Sequence, residues 1–154
     1  MSLVLELIAN KVLIISALAW LVAGVLKVLV ELRVNKTFDV KRIFGAGGMP
    51  SSHTSTVIAL TISIAYYEGV STACFAIAVI FTIIVIHDAV GVRLETGKQA
   101  KVLNTMMFES KAFQDLDFEQ QLKEYVGHTP SQAFIGAIVG LIVALLMIFV
   151  VYRV

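Results

Sequence analysis

Apolar residues along the chain gather into four stretches set apart by two long polar segments. Val12–Leu26 is uncharged between Lys11 and Lys27 and extends to about Val34 if Lys27 and Arg33 snorkel their charges outward. Thr54–Tyr67 and Ser71–Ile86 are uncharged, and Ala133–Tyr152 is an unbroken run of twenty. A helix rises about 1.5 Å per residue, so roughly 20 residues cross the roughly 30 Å of bilayer hydrocarbon. Only the last stretch meets that length comfortably. The middle two gain a turn each if they begin at Ser51 and end near Val90, or they form a re-entrant hairpin around Glu68-Gly69. The pattern predicts an all-α fold in a single domain over residues 1–154: an integral membrane helical bundle with about four membrane helices and a cytoplasmic interfacial helical segment. The Leu-rich first ten residues, with Glu6, read as an interfacial helix or as the first turns of helix one. Because the apolar run continues to Leu32 without a polar break, the start is expected to be retained rather than cleaved as a signal peptide.

The polar segments Glu31–Ser52 and His87–Pro130 fall on one membrane face by the parity of crossings, since the stretches between them are joined by the tight Glu68 turn. Nine of the twelve basic residues (Arg33, Lys36, Lys41, Arg42, Arg93, Lys98, Lys101, Lys111, Lys123) lie in these segments. The bias of Lys and Arg toward cytoplasmic loops makes that face cytoplasmic. Within the second segment Lys98–Met107 reads as a short helix, and Phe118, Leu122 and Tyr125 recur at i, i+4, i+7 among polar residues, as in an interfacial helix. Composition narrows the classes further. Of 154 residues, 58% are hydrophobic and 15% charged, and mean hydropathy is +0.90, which excludes a disordered chain. A net charge of +1 excludes a nucleic-acid binder built on a basic face, and the lone Cys74, read as core, excludes a disulfide-stapled secreted module. One cysteine and three dispersed histidines lack the spacing of a metal site, so neither metal nor cofactor is expected.

The sharpest local signal is Gly45-Ala46-Gly47-Gly48-Met49-Pro50-Ser51-Ser52-His53, which opens the second apolar stretch. Glycines let backbone N–H groups approach a ligand, Pro50 suits a first helical turn, and Ser51 or Ser52 suits its cap. A helix N-terminus carries unpaired N–H donors and partial positive charge, so this segment suits a phosphate held by backbone and serine hydroxyls. The plainer reading is a flexible glycine loop with an ordinary cap. His128 opens the last helix in Gly127-His128-Thr129-Pro130-Ser131-Gln132, which puts His53 and His128 at helix ends on the same face. A lone helix-end histidine is more often structural. Two neutral imidazoles near a phosphate, however, are what a two-step phosphoryl transfer requires: one attacks phosphorus and the other protonates the departing alkoxide.

The third element is His87-Asp88-Ala89-Val90-Gly91-Val92-Arg93. A carboxylate at the membrane boundary needs a partner, and Arg93, Arg42 and His128 are the candidates for Asp88. Arg93, with its planar fork, can bind two phosphate oxygens; its plainer role is an ion pair closing the helix end. His87 is read as facing headgroups. Lys27, Lys36, Lys41 and Arg42 form a basic cluster that binds phosphate or simply contacts anionic lipid. Gln99 and Asn104 bond a headgroup or are solvated, and the methionines at 49, 106 and 107 are packing.

Pro50-Ser51-Ser52-His53 resembles the P-S-[GS]-H signature of type-2 phosphatidic acid phosphatases, and His128-x3-Gln132-x3-Gly136-x3-Gly140 resembles the histidine-bearing helix of that superfamily's third motif. Together with Asp88-Ala89-x-Gly91-Val92-Arg93 and Gly127-His128-Thr129-Pro130, the set is similar to the divergent branch of that family over about residues 25 to 145. The resemblance implies a helical membrane bundle that hydrolyses phosphomonoesters, often on lipids, without metal. By position it makes His128 the nucleophile, His53 the general acid, and Ser51 and Ser52 part of the phosphate-binding motif. Three places depart from the pattern. Gln132 stands where an aspartate usually holds the nucleophile's tautomer, Leu122 stands where an arginine is usual, and Lys36 to Arg42 is one residue short of the first motif and lacks its proline. Asp88 and Arg93 are expected to supply what the third motif has lost.

The expected function is hydrolysis of a lipid phosphomonoester, phosphatidylglycerophosphate or phosphatidic acid, through a phosphohistidine at the cytoplasmic face of a bacterial inner membrane. His128, His53 and Asp88 are the expected catalytic residues, with Arg93, Ser51, Ser52, Gly48, Arg42 and Lys41 binding the substrate. The alternative is a noncatalytic membrane protein that binds phosphate or a phospholipid headgroup. A transporter is disfavoured because the ionisable residues gather at one face rather than at mid-membrane. Gly136 and Gly140 form a small-xxx-small face that would pack on helix one or on a second subunit, which leaves a homodimer open.

Overall fold

The structure, a computed structural model, describes residues 3–36, 38–45, 47–109, 121–124 and 126–153. Its elements are α1 (Leu3–Ala9), α2 (Lys11–Asn35), a 3₁₀ turn (Val40–Ile43), α3 (Ser52–Tyr67), α4 (Ala73–His87), α5 (Arg93–Asn104) and α6 (Pro130–Leu146). A π-helical turn at Asp88–Val92 joins α4 to α5, and others follow α5 and α6. Asn10 separates α1 from α2 by capping the latter, its Oδ1 accepting from Leu13 N–H at 3.0 Å. Helix α1 is therefore its own short element. The expected short helix at Lys98–Met107 is instead the distal part of one continuous helix, Ala73–Phe108.

Among the described residues, three helices are long and apolar enough to cross a membrane: α2, the continuous α4–α5 helix, and α6 with its π turn. Helix α3, at 16 residues, falls short of that length and packs against α2, α4 and α6. Its sequence explains the position. Small and hydroxylated residues let neighbouring backbones come close, and the hydroxyls hydrogen-bond carbonyls in place of water. Ser55 Oγ donates to Ala19 O of α2 at 3.1 Å, Thr82 Oγ1 of α4 donates to Val57 O at 3.2 Å, and the Thr61 and Thr82 hydroxyls pair at 2.8 Å. On its third side, a Cβ at Gly136 or Gly140 of α6 would strike the carbonyl of Ser51 or Ser55. The glycine face of α6 is thus used within the chain against α3, rather than against α2 or a second subunit.

Helices α2, α3, α4 and α6 alternate in direction, so two ends are defined. At one end Lys11 Nζ lies 5.4 and 5.0 Å from the ring centroids of Tyr67 and Tyr152, tying the start of α2 to the ends of α3 and α6. The core cluster Ile15, Ala19, Ala59, Val143, Ala144 and Ile148 fills the bundle above it. Ile77, Ile80, Phe81, Ile83 and Ile84 of α4 are exposed, a surface that only lipid makes favourable. Cys74, expected in the core, is also exposed because it sits in the first turn of this peripheral helix. At the opposite end lie the glycine loop and the polar segments. Of the predicted interfacial pattern, Phe118 and Tyr125 lie outside the described residues, as do Lys111 and Ala46. Residues 121–124 are not helical, because the Leu122 backbone pairs with the Asn104 side chain instead.

Candidate functional site

The glycine loop turns into α3 through Gly47 and Gly48, both at positive φ (81° and 84°), and a cis Met49–Pro50 bond. Ser51 is the N-cap: its Oγ accepts from Thr54 N–H at 3.3 Å and from Thr54 Oγ1 at 3.1 Å, while its N–H donates to Gln132 O at 3.2 Å. Pro50 therefore precedes the cap instead of occupying the first helical turn. Ser52 is the first helical residue, and its buried Oγ has no hydrogen-bond partner among the described residues. An orphaned hydroxyl at a helix N-terminus, where N–H donors are also unpaired, is ready to donate to an anion.

Lys27 enters the same region from α2. It occupies the stripe Ile15, Ala19, Ala23, Lys27, one residue every four, so it faces inward and is only 3% exposed. Its Nζ donates to Gly45 O at 3.0 Å, and a Cβ on Gly48 would lie 3.2 Å from its Cγ. Lys27 thus buttresses the glycine loop and does not snorkel outward.

The π turn at Asp88–Val92 arranges the third element. Arg93 N–H, which in an α-helix would bond Ala89 O, donates to Asp88 O. Two results follow from this shift. Asp88 and Arg93, five residues apart, come onto one side of the helix and pair through Nε and Oδ2 at 2.5 Å. Ala89 O is left to accept the His128 N–H at 2.9 Å, which fixes the residue at the head of α6 to α4. The segment before His128 lies directly on α5. A Cβ on Gly97 would strike Glu124 O, and one on Gly127 would strike the Arg93–Leu94 backbone. Asn104, buried, holds both backbone groups of Leu122 (2.8 and 2.9 Å) and the Glu124 carboxylate (2.9 Å).

These elements bring His53, Asp88, Arg93 and His128 around one pocket of about 90 Å³, completed by Val85, Ala89 and Val126. The two imidazole centroids are 6.3 Å apart, with the rings at 60°. His128 is buried, and its Nδ1 is 3.3 Å from Gln132 Oε1, which also accepts from Thr129 N–H. With Nδ1–H donating to that oxygen, the free lone pair is on Nε2. Burial holds the His128 imidazole below the usual histidine range, against the opposing effect of its bond to Gln132. His53, more exposed than His128, is lowered as well, first by partial desolvation and then by the charges of Arg93 and Lys27, with Asp88 opposing. Both shifts favour the neutral imidazole, the form in which one ring can act as a nucleophile and both can exchange protons. Among the described residues, no three of His, Cys, Asp and Glu stand close enough together to hold a metal ion.

The predicted residues divide cleanly. His128, His53, Asp88 and Arg93 line the pocket, and the Gly48 backbone lies near His128. Ser51 is fully buried with its oxygen committed to the cap, while Ser52 keeps an unpartnered hydroxyl. Lys41 and Arg42 are outside the pocket: they line a separate hollow, and Arg42 pairs with Glu31 at 3.2 Å. His87 and Gln99 are exposed and line no part of the pocket. Sequence reasoning placed Lys27 in an outward-facing basic cluster, although the four-residue stripe with Ile15, Ala19 and Ala23 was there to mark it as inward. The part played by Asn104 left no comparable signal, since its partners are backbone atoms 18 residues away.

Fold and pocket define an all-α membrane bundle with two neutral histidines, a carboxylate and a guanidinium gathered at one end. The chain belongs to the divergent PAP2 family, whose family model matches residues 8–143. It is similar to the uncharacterized membrane protein YuiD of Bacillus subtilis (strain 168), with 34% identity over 153 residues covering 93% of this chain and 97% of that protein. No solved structure matches the chain.

Proposed function

We propose that the protein is a lipid phosphate phosphatase that cleaves a phosphomonoester through a phosphohistidine, with its site at the cytoplasmic face of a bacterial inner membrane. The observation that carries this reading is the placing of His53 and His128, from separate helices, across one pocket with Arg93. The lone pair on His128 Nε2 attacks phosphorus while the bond to the alkoxide oxygen breaks. His53 delivers a proton to that oxygen, releasing an alcohol. Water, deprotonated by His53, then attacks phosphorus, the P–N bond breaks, and phosphate leaves with His128 restored. Arg93 stabilises charge on the non-bridging oxygens, and the nearby Lys27 ammonium adds to the positive field. His53 begins neutral, so it acquires its proton when a phosphate dianion arrives and offsets the positive charges that hold its pKa down. Asp88 holds Arg93 and offsets positive charge at His53, a positioning part rather than contact with the reacting atoms.

Substrates made on the cytoplasmic side, phosphatidylglycerophosphate and phosphatidic acid, suit a site at the end that carries most of the basic residues. Purified protein supplied with either lipid is expected to release phosphate in the presence of EDTA, to be blocked by vanadate, and to lose release in His128→Ala. Release that survives that substitution sinks the mechanism. One observation favours a second reading: Gln132 orients His128 without contributing negative charge to stabilise an imidazolium, as would suffice in a phosphate-binding protein without turnover. Vanadate binding with no release from either lipid would select it.

A further inference from the structure

The two-histidine pocket, at about 90 Å³, has room for a small oxyanion, so whatever carries the phosphoryl group must lie outside it. Beside it is a larger hollow of about 390 Å³ lined by Asp39, Lys41, Arg42, Gly45, Lys123 and Glu124, with Val126 as the wall common to both. We infer that this hollow is a subsite for a polyol bearing a second, phosphodiester anion, so that the preferred substrate carries its reacting phosphate on such a headgroup rather than directly on diacylglycerol. The inference rests on the phosphatase reading and adds the substrate class.

The lining supports this chemistry in two ways. First, its charges differ in how far they are already committed. Asp39 caps the 3₁₀ turn through Lys41 N–H, Glu124 accepts from Asn104, and Arg42 gives one nitrogen to Glu31. Among the described residues the Lys41 and Lys123 ammoniums have no ion-pair or hydrogen-bond partner, and Arg42 retains further N–H groups, so these donors are open to a second phosphate. Second, each carboxylate keeps an oxygen that can accept a polyol hydroxyl. A wall that mixes free cations with carboxylates fits an anion-bearing polyol better than an acyl chain. The larger apolar groove, lined by residues such as Leu18, Val22, Ile142 and Met147 of α2 and α6 and their surroundings, has no polar lining.

The test compares phosphatidylglycerophosphate with phosphatidic acid at equal mole fraction in neutral detergent micelles, using the full chain and a Lys41→Gln/Lys123→Gln double variant. Both lysines are exposed, so the fold should tolerate the changes. Wild type is expected to favour phosphatidylglycerophosphate about tenfold or more in kcat/KM, mostly through KM, and the double variant to bring that ratio close to one. No preference in wild type, or an undiminished preference in the variant, overturns the subsite. A neighbouring lipid headgroup could present the same anion. If phosphatidylglycerol added to the micelles stimulates phosphatidic acid hydrolysis in wild type but not in the variant, and no substrate preference exists, the hollow belongs to bystander lipid and the inference falls. A binding arm separates this from failure of the phosphatase reading. His128→Ala protein is titrated with glycerol 3-phosphate and with soluble glycerophosphoglycerol phosphate, followed by thermal shift, with and without the two lysines. Lysine-dependent preference for the second probe, with no release from any lipid, retains the subsite and removes the hydrolase; release from both lipids at equal efficiency does the reverse.

Discussion

Each end of the bundle holds a lysine against neighbouring elements, exposed at one end and buried at the other, and the two are used differently. Lys11 lies over the faces of Tyr67 and Tyr152, a contact with two phenol rings that joins the start of α2 to the ends of α3 and α6. Lys27 bonds a loop carbonyl within the electrostatic reach of His53 and His128, beside Arg93 and Asp88. Both arrangements place a cation where the sequence is mostly apolar, but only one surrounds it with groups able to exchange protons and bind an anion. A cation that ties helices together in a membrane bundle is therefore not enough to mark a site; convergence of unlike titratable groups on one pocket is the better criterion.

Breaking the active end should have the largest effect. His128→Ala is expected to lower phosphate release at least about 10³-fold and His53→Ala about 10²- to 10⁴-fold, measured as kcat on purified protein, with thermal unfolding little changed. Equal activity in all three proteins would erase the distinction between the ends. Next in size is Gly140→Leu, whose side chain has no space against the Ser55 backbone; a loss of about 3 kcal/mol or outright misassembly is expected in detergent unfolding. Asn104→Ala removes the clamp on Leu122 and leaves part-buried backbone groups unpaired, which should cost about 0.5–1.5 kcal/mol and lower kcat more than it raises KM. Asn104→Asp, which can still accept from Leu122 N–H, should recover part of the loss.

Acidification should also separate the ends. The pKa of His128 in the folded chain is below its unfolded value, so between the two the unfolded state binds more protons. Its contribution to stability is therefore complete above pH about 6.5 and is lost as the pH falls through that value toward the folded pKa. The nucleophile must be neutral as well, so the acid limb of kcat/KM is expected below pH 6.5 and should move when Lys27, a neighbouring charge, is replaced by Met. A limb that does not move in that variant would remove Lys27 from the site's field. The smallest effect is at the far end: Lys11→Met should lower stability by about 0.5–1 kcal/mol and leave kcat as in wild type.

Much of this was legible in the chain. The four apolar stretches became the four bundle helices, and the histidines at helix ends met because up-down connections put those ends together. The reach of each polar side chain was less legible. Ser51 and Ser52 are adjacent and identical in type, yet one is consumed by the cap and the other retains a free hydroxyl, a difference set by where the helix begins. Asp88 and Arg93 are five apart, a spacing that an α-helix would leave out of register and that a π turn corrects. The sequence near Leu122 has a helical period, but a backbone pairing with a distant amide decided its conformation, and long-range competition of that kind leaves no local trace.

The extra residue in that π turn is absorbed where it stands. A π turn closes over one residue more than an α turn, so deleting Val90 or Gly91 would restore an ordinary α turn and leave the distal half of the long helix close to its present orientation. Gly97 and Asn104 would keep their places, but Ala89 O would be drawn back into the helix's own ladder and the histidine leading α6 would lose its seat. A single-residue change in chain length at this point would thus detach the head of α6 while both halves of the long helix stay as they are.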